Sequence, residues 1–435
     1  MARLSSSTAI LPTYTLTLLG RYWAPLLCAY TVGYVLHWSL TRGLVRVSGV
    51  HQVLGLTGLS LTLLITLVTT IVMFQLVRPS LTLVDTELSG APAARGRAGF
   101  ARRERRVVDG VVLAILPFLL FYSAWGLIGE EFENYSVGLL NEGGVDAFAA
   151  PHQVDALGLP LVVALAAWAL RRASERFYRS TGNGVLGLLT ALFEAVWLFM
   201  FVFSIGVALE RAQAWIMSRA AWAALQDTLG RTVGGAAGVF GASPDLDAYA
   251  ALVALLASLW LMVKSGLLAP LLWLAIAAVV YRAEIGDDAT MFEPRRAHPR
   301  RTVARAGGLV RKVSRAGGVR GVARYTPFVN ALRFVLTVGP VFYLSFALLY
   351  ALVEVGFSRL HRLVFELVGP GDFLADWWVW LEPIDFLVGA AREVVRVCLL
   401  AAAFEIALRK VDEGSVGRRE RSVATHVTSR SARRR

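Results

Sequence analysis

The sequence predicts an all-α, polytopic integral membrane protein, and three observations carry that prediction. Apolar stretches of about twenty residues recur along the chain, the length a helix needs to cross a hydrocarbon core of about 30 Å. Composition agrees, with 56% hydrophobic and 17% charged residues and a mean hydropathy of +0.58, against roughly 45–50% apolar and about 25% charged in soluble domains. Arginine, finally, sits mainly in every second gap between the apolar stretches, the asymmetry that orients membrane helices. We therefore expect about eight transmembrane helices in four hairpins, with amphipathic helices on the outer side.

The spans are expected at 22–40, 53–77, 111–128, 157–170, 185–209, 249–281, 334–353 and 386–408. The first lacks a small-residue cleavage site after its apolar run and reads as a retained span, not a signal peptide. Arg42 and Arg46 in the short gap that follows run against the orientation set by the other gaps. Between the third and fourth spans, Glu130, Glu131, Glu133, Glu142, Asp146 and Asp155 occur without one Lys or Arg, as expected of an outer loop. The fourth span is short, about 14 apolar residues with Pro160 near one end. Snorkelling of Arg171 and Arg172 or a transporter-like discontinuity would reconcile it with the bilayer.

The sixth segment is too long, since roughly 33 residues would reach about 50 Å as one helix. Lys264, Gly266 and Pro270 interrupt it, and steep tilt, a protruding end or a broken helix would each account for the excess. In the later external stretches Trp215, Trp222, Leu225 and Leu229 share a helical face, as do Phe357, Leu360, Val364 and Leu367. Such faces suit helices lying on the membrane. Trp377, Trp378 and Trp380 read as an interfacial aromatic belt.

With both termini cytoplasmic, roughly three-quarters of the 44 Lys and Arg residues fall on the cytoplasmic side, as the positive-inside rule requires. They include a basic loop over 282–333 and a basic tail over 409–435. A net charge of +13 would point to nucleic acid in a soluble protein. Here topology accounts for it, and no aromatic platform interleaves the arginines. The expected partner of Arg305, Arg311, Lys312, Arg315, Arg320 and Arg324 is the anionic headgroup layer of the cytoplasmic leaflet. Partner membrane subunits or a homo-oligomer are also expected, whereas nucleic acid is not. The dominance of Arg over Lys, with abundant Ala, Gly and Val, fits the plasma membrane of a prokaryote.

Charge within the hydrocarbon depth is the sharpest pointer to function, because an ion there costs several kcal/mol unless paired or hydrated. In the last span Asp385, Gly389, Arg392 and Arg396 share a face with Glu393 beside them. Counting from Phe386, Arg392 lies about 9 Å deep and Arg396 about 15 Å. The stripe either lines an aqueous path or anion site, or forms an ion-pair network locking helices or subunits together. Glu194 in the middle of the fifth span needs a cation or a proton, and Lys264, Arg392 or Arg396 could supply the charge. Glu405 and Arg409, four residues apart, read as an ordinary interfacial pair.

Other motifs carry less. Gly182, Gly184 and Gly187 spell G-x-G-x-x-G without the strand and soluble βαβ unit that dinucleotide binding requires. No P-loop lysine motif, nucleophile elbow or paired histidine metal motif occurs, and Cys28 and Cys398 form no disulfide framework. No cofactor is expected. The residues thus point to a transport or channel-type subunit for a small ion or anionic solute, without its own ATPase. A structural docking subunit is the alternative. A lipid-modifying enzyme using Glu130, Glu131 and Asp385 is weaker, because paired carboxylates would need divergent pKa values.

Overall fold

The computed structural model of the protein describes residues 2–49, 51–81, 111, 114–115, 118–119, 121–123, 126–149, 158–181, 184–239, 248–282, 338–372 and 377–432. Every regular element among them is helical, with no strand. In chain order the helices are α1 Ala2–Ser48, α2 Gln52–Val77, α3 Leu127–Ala149, α4 Leu159–Thr181 and α5 Gly184–Met217. They continue with α6 Ala220–Val239, α7 Ala248–Val263, α8 Ala269–Arg282, α9 Pro340–Val368 and α10 Trp378–Ala432. Residues 112–113, 116–117, 120 and 124–125 of the expected span 111–128, residues 334–337 of the seventh, and the basic loop with Arg305, Arg311, Lys312, Arg315, Arg320 and Arg324 lie outside the described residues.

Four helical stretches are long and apolar enough to cross a membrane: Gln52–Ser80, Gly184–Met217, Val253–Tyr281 and Pro340–Val368. The expected spans 22–40 and 386–408, and residues 159–170 of the fourth, are helical but less uniformly apolar. Tyr30, Thr31, Tyr34 and His37 interrupt 22–40, Arg171 and Arg172 follow closely on 157–170, and Arg392, Glu393, Arg396 and Glu405 lie within 386–408. Membrane embedding thus stands on four helices.

Helices α1 and α2 form an antiparallel pair across a short turn, where His51 caps α2 by accepting the Val53 N–H through Nδ1 at 3.3 Å. Glycines let the two backbones approach. A side chain at Gly33 would strike Thr69, at Gly55 the Ser48 and Tyr135 hydroxyls, and at Gly58 Leu44, the small-residue packing that serves helices in lipid. Thr57, Thr62, Thr66, Thr69 and Thr70 each donate a hydroxyl to a backbone carbonyl three or four residues earlier, so α2 carries them without exposing unsatisfied polar groups. Small residues also join α4 to α5, where Ala164 and Ala167 face the antiparallel partner with Ala191 and Ala195, all four buried.

The core gathers Leu59, Leu63, Leu67 and Phe74 of α2, the run from Ala275 to Tyr281 of α8, and the run from Val397 to Phe404 of α10. Polar and aromatic contacts collect at two ends. At one, Tyr14 and Tyr22 meet Ser80, Arg409 bonds Glu405 at 3.2 Å, and Lys410 lies over the Phe342 ring. At the other, His37 meets Glu131, Trp38 donates to Glu382, Arg46 approaches Glu142, and His361 bonds Asp385 at 2.6 Å. We refer to these as the basic and acidic ends.

Several expected boundaries change. The acidic stretch expected as a loop folds as α3, kinked at Gly144, whose φ of 72° is left-handed. Trp215 ends α5 while Trp222 opens α6 beyond a turn at Ser218 and Arg219, so the expected common face is divided between two helices. The stripe Phe357, Leu360, Val364 and Leu367 belongs to the same helix as the span before it, because Glu354 does not end α9. The basic tail is helical to Ala432. The fifth and sixth expected spans make at most marginal contact, whereas α6 and α7 pack on each other.

The sixth segment does not break. A π-helical turn, Lys264–Leu268, joins α7 to α8, with the Ala269 N–H bonding the Lys264 carbonyl five residues back. Pro270 explains the widening, since it has no N–H for the carbonyl four residues earlier and its ring crowds it. The Tyr343 hydroxyl donates to the Leu267 carbonyl from α9. At the other end of α8, Tyr281 stacks on Phe404 of α10. The run from Trp273 to Tyr281 in α8 is buried while α7 stays exposed, as Leu256, Trp260 and Met262 show.

Candidate functional site

Arg396 occupies the centre of the bundle. It lies about 17 Å along α10 from Asp385 and about 20 Å from Arg409, so neither end is within reach of its side chain. All three guanidinium nitrogens are engaged. Nε and Nη2 donate to Glu354 Oε1 at 3.0 and 2.7 Å, and Nη1 donates to Glu393 Oε1 at 2.5 Å. The Trp273 ring of α8 lies 5.2 Å from Cζ. An arginine only 11% exposed is thereby held by two carboxylates, an aromatic face and three helices.

Arg392, one turn nearer the acidic end, is held differently. Its nearest carboxylate is Glu393 at 3.9 Å, beyond hydrogen-bond distance, and its side chain is 43% exposed. Arg392 and Arg396 with Glu354 and Glu393 form a quartet of zero net charge. Between Arg392 and the end of the bundle, Gly389 faces α1, where an added Cβ would stand 2.9 Å from the Tyr30 hydroxyl. Asp385, exposed at the mouth, is held by His361 of α9. The expected stripe Asp385, Gly389, Arg392 and Arg396 thus runs inward from the acidic end between α1 and α9.

Glu354 was not among the expected site residues. The expected span stops at Val353, whereas α9 continues to Val368 and puts Glu354 at its midpoint. The available signal was the strongly apolar pattern resuming beyond it.

The second charged site lies between α4 and α5. Glu194, 1% exposed, meets Arg171 Nε at 3.5 Å, and Arg171 also approaches Glu175 at 3.7 Å. This corrects the expected cation, which was Lys264, Arg392 or Arg396. The antiparallel pair turns between Thr181 and Gly184, and that register sets Arg171 beside Glu194 at equal distances from the turn. Arg171 is therefore paired inside the protein instead of snorkelling, and Arg172 stacks on Trp168 at 4.6 Å. Lys264 opens the π turn, half-buried.

Among the described residues no group of three or more His, Cys, Asp or Glu side chains could hold a metal ion. Cys28 and Cys398 are free thiols. Outside the expected spans, the Tyr135 hydroxyl of α3 is bonded to Ser48, and burial pushes its pKa up while that hydrogen bond pulls it down. No protein-family model, curated protein or solved structure is significantly similar to this chain, so the site is read from its own residues.

Proposed function

We propose that the protein is a transport or channel-type membrane subunit for a small ion or anionic solute, powered by something other than an ATPase of its own. The observation that carries this reading is the charged quartet at half-depth, with a line of polar groups leading to it from the acidic end. Ionised groups held inside a helical bundle at membrane depth are costly and rare, and solute and ion pathways are among the roles that retain them. The topology that goes with this reading places the basic end in the cytoplasm and the acidic end outside, in the plasma membrane of a prokaryote. The arginines of 305–324 then face anionic headgroups.

The test is flux in reconstituted vesicles, measured for chloride and acetate. Neutralising Arg392 or Glu354 is expected to abolish the flux or change its ion selectivity while membrane insertion persists. Unchanged flux and selectivity in both variants would sink the reading.

A structural docking subunit is the second reading, and the exposed α7 favours it. A helix whose apolar side chains are open on several sides is lipid-facing or partner-facing. Arg396 does not require an outside partner, because its carboxylates come from the same chain. Substituting Trp260 and Met262 by alanine is expected to release a co-purifying subunit under the docking reading and to leave flux intact under the transport reading.

A further inference from the structure

At the acidic end a cavity of about 360 Å³ opens where the turn between α1 and α2 meets α3, a volume within the range of small-solute sites. Buried Val45 of α1 and Leu139 of α3 contribute its apolar wall. Helix α3 lies tight on α1 at Gly138, where an added Cβ would stand 2.9 Å from Val45. One turn further on, Glu142 and Gly143 line an open space instead. Small residues leave that space, since Gly49 and Gly143 bring no side chain and Ala147 only a methyl. The cavity is about 24 Å along α1 from Tyr30, which stands against Gly389 near the charged quartet, so it is separate from the site described above.

Two charges of opposite sign line it. Arg46 Nε and Glu142 Oε1 are 3.9 Å apart, with side chains 76% and 43% exposed. They attract each other but lie beyond hydrogen-bond distance. So exposed an ion pair is held weakly, and each head group can turn to a ligand without stranding a buried charge. The Ser48 hydroxyl beside them is taken by Tyr135, while Gln52 adds an amide that both donates and accepts. Glu142 also sits at the partly negative end of a helical run, because the left-handed Gly144 breaks α3 two residues later. Arg46, for its part, runs against the charge sorting of the other gaps, so topology gives no reason for it.

This arrangement selects a ligand class. A simple anion drawn by Arg46 meets the Glu142 carboxylate, and a simple cation drawn by Glu142 meets the guanidinium, so each is repelled as well as attracted. A molecule carrying both an oxyanion and an ammonium group satisfies the two together, with two oxygens on the guanidinium fork and ammonium donors on the carboxylate. We infer that the cavity is a binding site for a small zwitterion, an ammonium joined to a carboxylate or phosphate by a short spacer. Arg46 holds the oxyanion and Glu142 the ammonium. The zwitterion is either a free solute of the amino-acid type or the headgroup of an ethanolamine lipid, which share that chemistry. The site goes beyond the transport reading and stands without it.

The test uses the full chain in phosphatidylglycerol nanodiscs, whose headgroups carry no ammonium, with equilibrium binding of radiolabelled glycine and with acetate and methylammonium as competitors. A second preparation in mixed phosphatidylglycerol and phosphatidylethanolamine is assayed by native mass spectrometry for retained phosphatidylethanolamine. Saturable glycine binding identifies a free solute, and selective retention of phosphatidylethanolamine identifies a headgroup. In whichever arm is positive, Arg46→Gln and Glu142→Gln are each expected to weaken binding at least tenfold, as is Ala147→Leu, which fills the cavity and leaves both charges in place. The exchanged pair, Arg46→Glu with Glu142→Arg, is expected to recover much of the binding, because the two positions keep opposite signs. Both positions are exposed, so these variants are expected to fold, which an unchanged thermal midpoint checks. A wild type that holds neither probe overturns the site, as does binding indifferent to Arg46→Gln, Glu142→Gln and Ala147→Leu. Displacement of glycine by acetate or methylammonium as effective as by unlabelled glycine overturns the zwitterion assignment.

Discussion

The two buried arginine sites, Arg396 between α9 and α10 and Arg171 between α4 and α5, solve the same problem in different ways. Arg396 is met by two carboxylates at hydrogen-bond distance from different helices, while Arg171 stands 3.5 and 3.7 Å from Glu194 and Glu175 in looser ion pairs. Removing a charge from a buried pair strands its partner, and what is stranded differs. Without Arg396, two carboxylates face each other in the bundle centre. Without Arg171, Glu194 is the buried group, and a single carboxyl can take up a proton, which a guanidinium cannot shed. The first cluster is therefore the more rigid lock and the second the more adaptable one.

The largest expected effect is at Arg396→Gln, which should destabilise the detergent-solubilised protein by about 3–5 kcal/mol, read as a lowered thermal midpoint with loss of the monodisperse peak. Adding Glu354→Gln and Glu393→Gln should recover much of it, since the stranded charges disappear together. Arg171→Gln should cost less, about 2–3 kcal/mol. If its midpoint falls as far as that of Arg396→Gln, the contrast between the two sites is wrong. Glu194→Gln leaves Arg171 beside Glu175 and should cost about 1–2 kcal/mol, with a double-mutant cycle against Arg171→Gln giving the coupling. Gly389→Ala is the mildest. Its new methyl meets only the tip of Tyr30, so the expected cost is under about 1 kcal/mol, read as a small shift of the thermal midpoint.

The same contrast explains what sequence reasoning reached. Arg392, Arg396, Glu393 and Glu194 stood out because each is charged within an apolar run, a signal local to one segment. Glu354 did not, because a carboxylate near the end of a window is indistinguishable from a helix terminus until the helix is seen to continue. The partner of Glu194 was misassigned because pairing depends on which helices are neighbours and in what register. The sixth segment shows this limit most plainly. Its two halves are similarly apolar, yet α7 is exposed and the run from Trp273 to Tyr281 in α8 is buried.

From its residues alone, the chain declared helical structure, apolar runs long enough for a membrane, and a sorting of arginine from carboxylate among the gaps. Those properties are encoded in composition and periodicity, which need no knowledge of neighbours. The tertiary structure decided which charges meet, where helices continue past polar residues, and which apolar face is left open. Pairing arises from contact between segments far apart in the chain. The bond from Arg396 to Glu354 joins residues 42 positions apart, and only the packing of α9 against α10 brings them together.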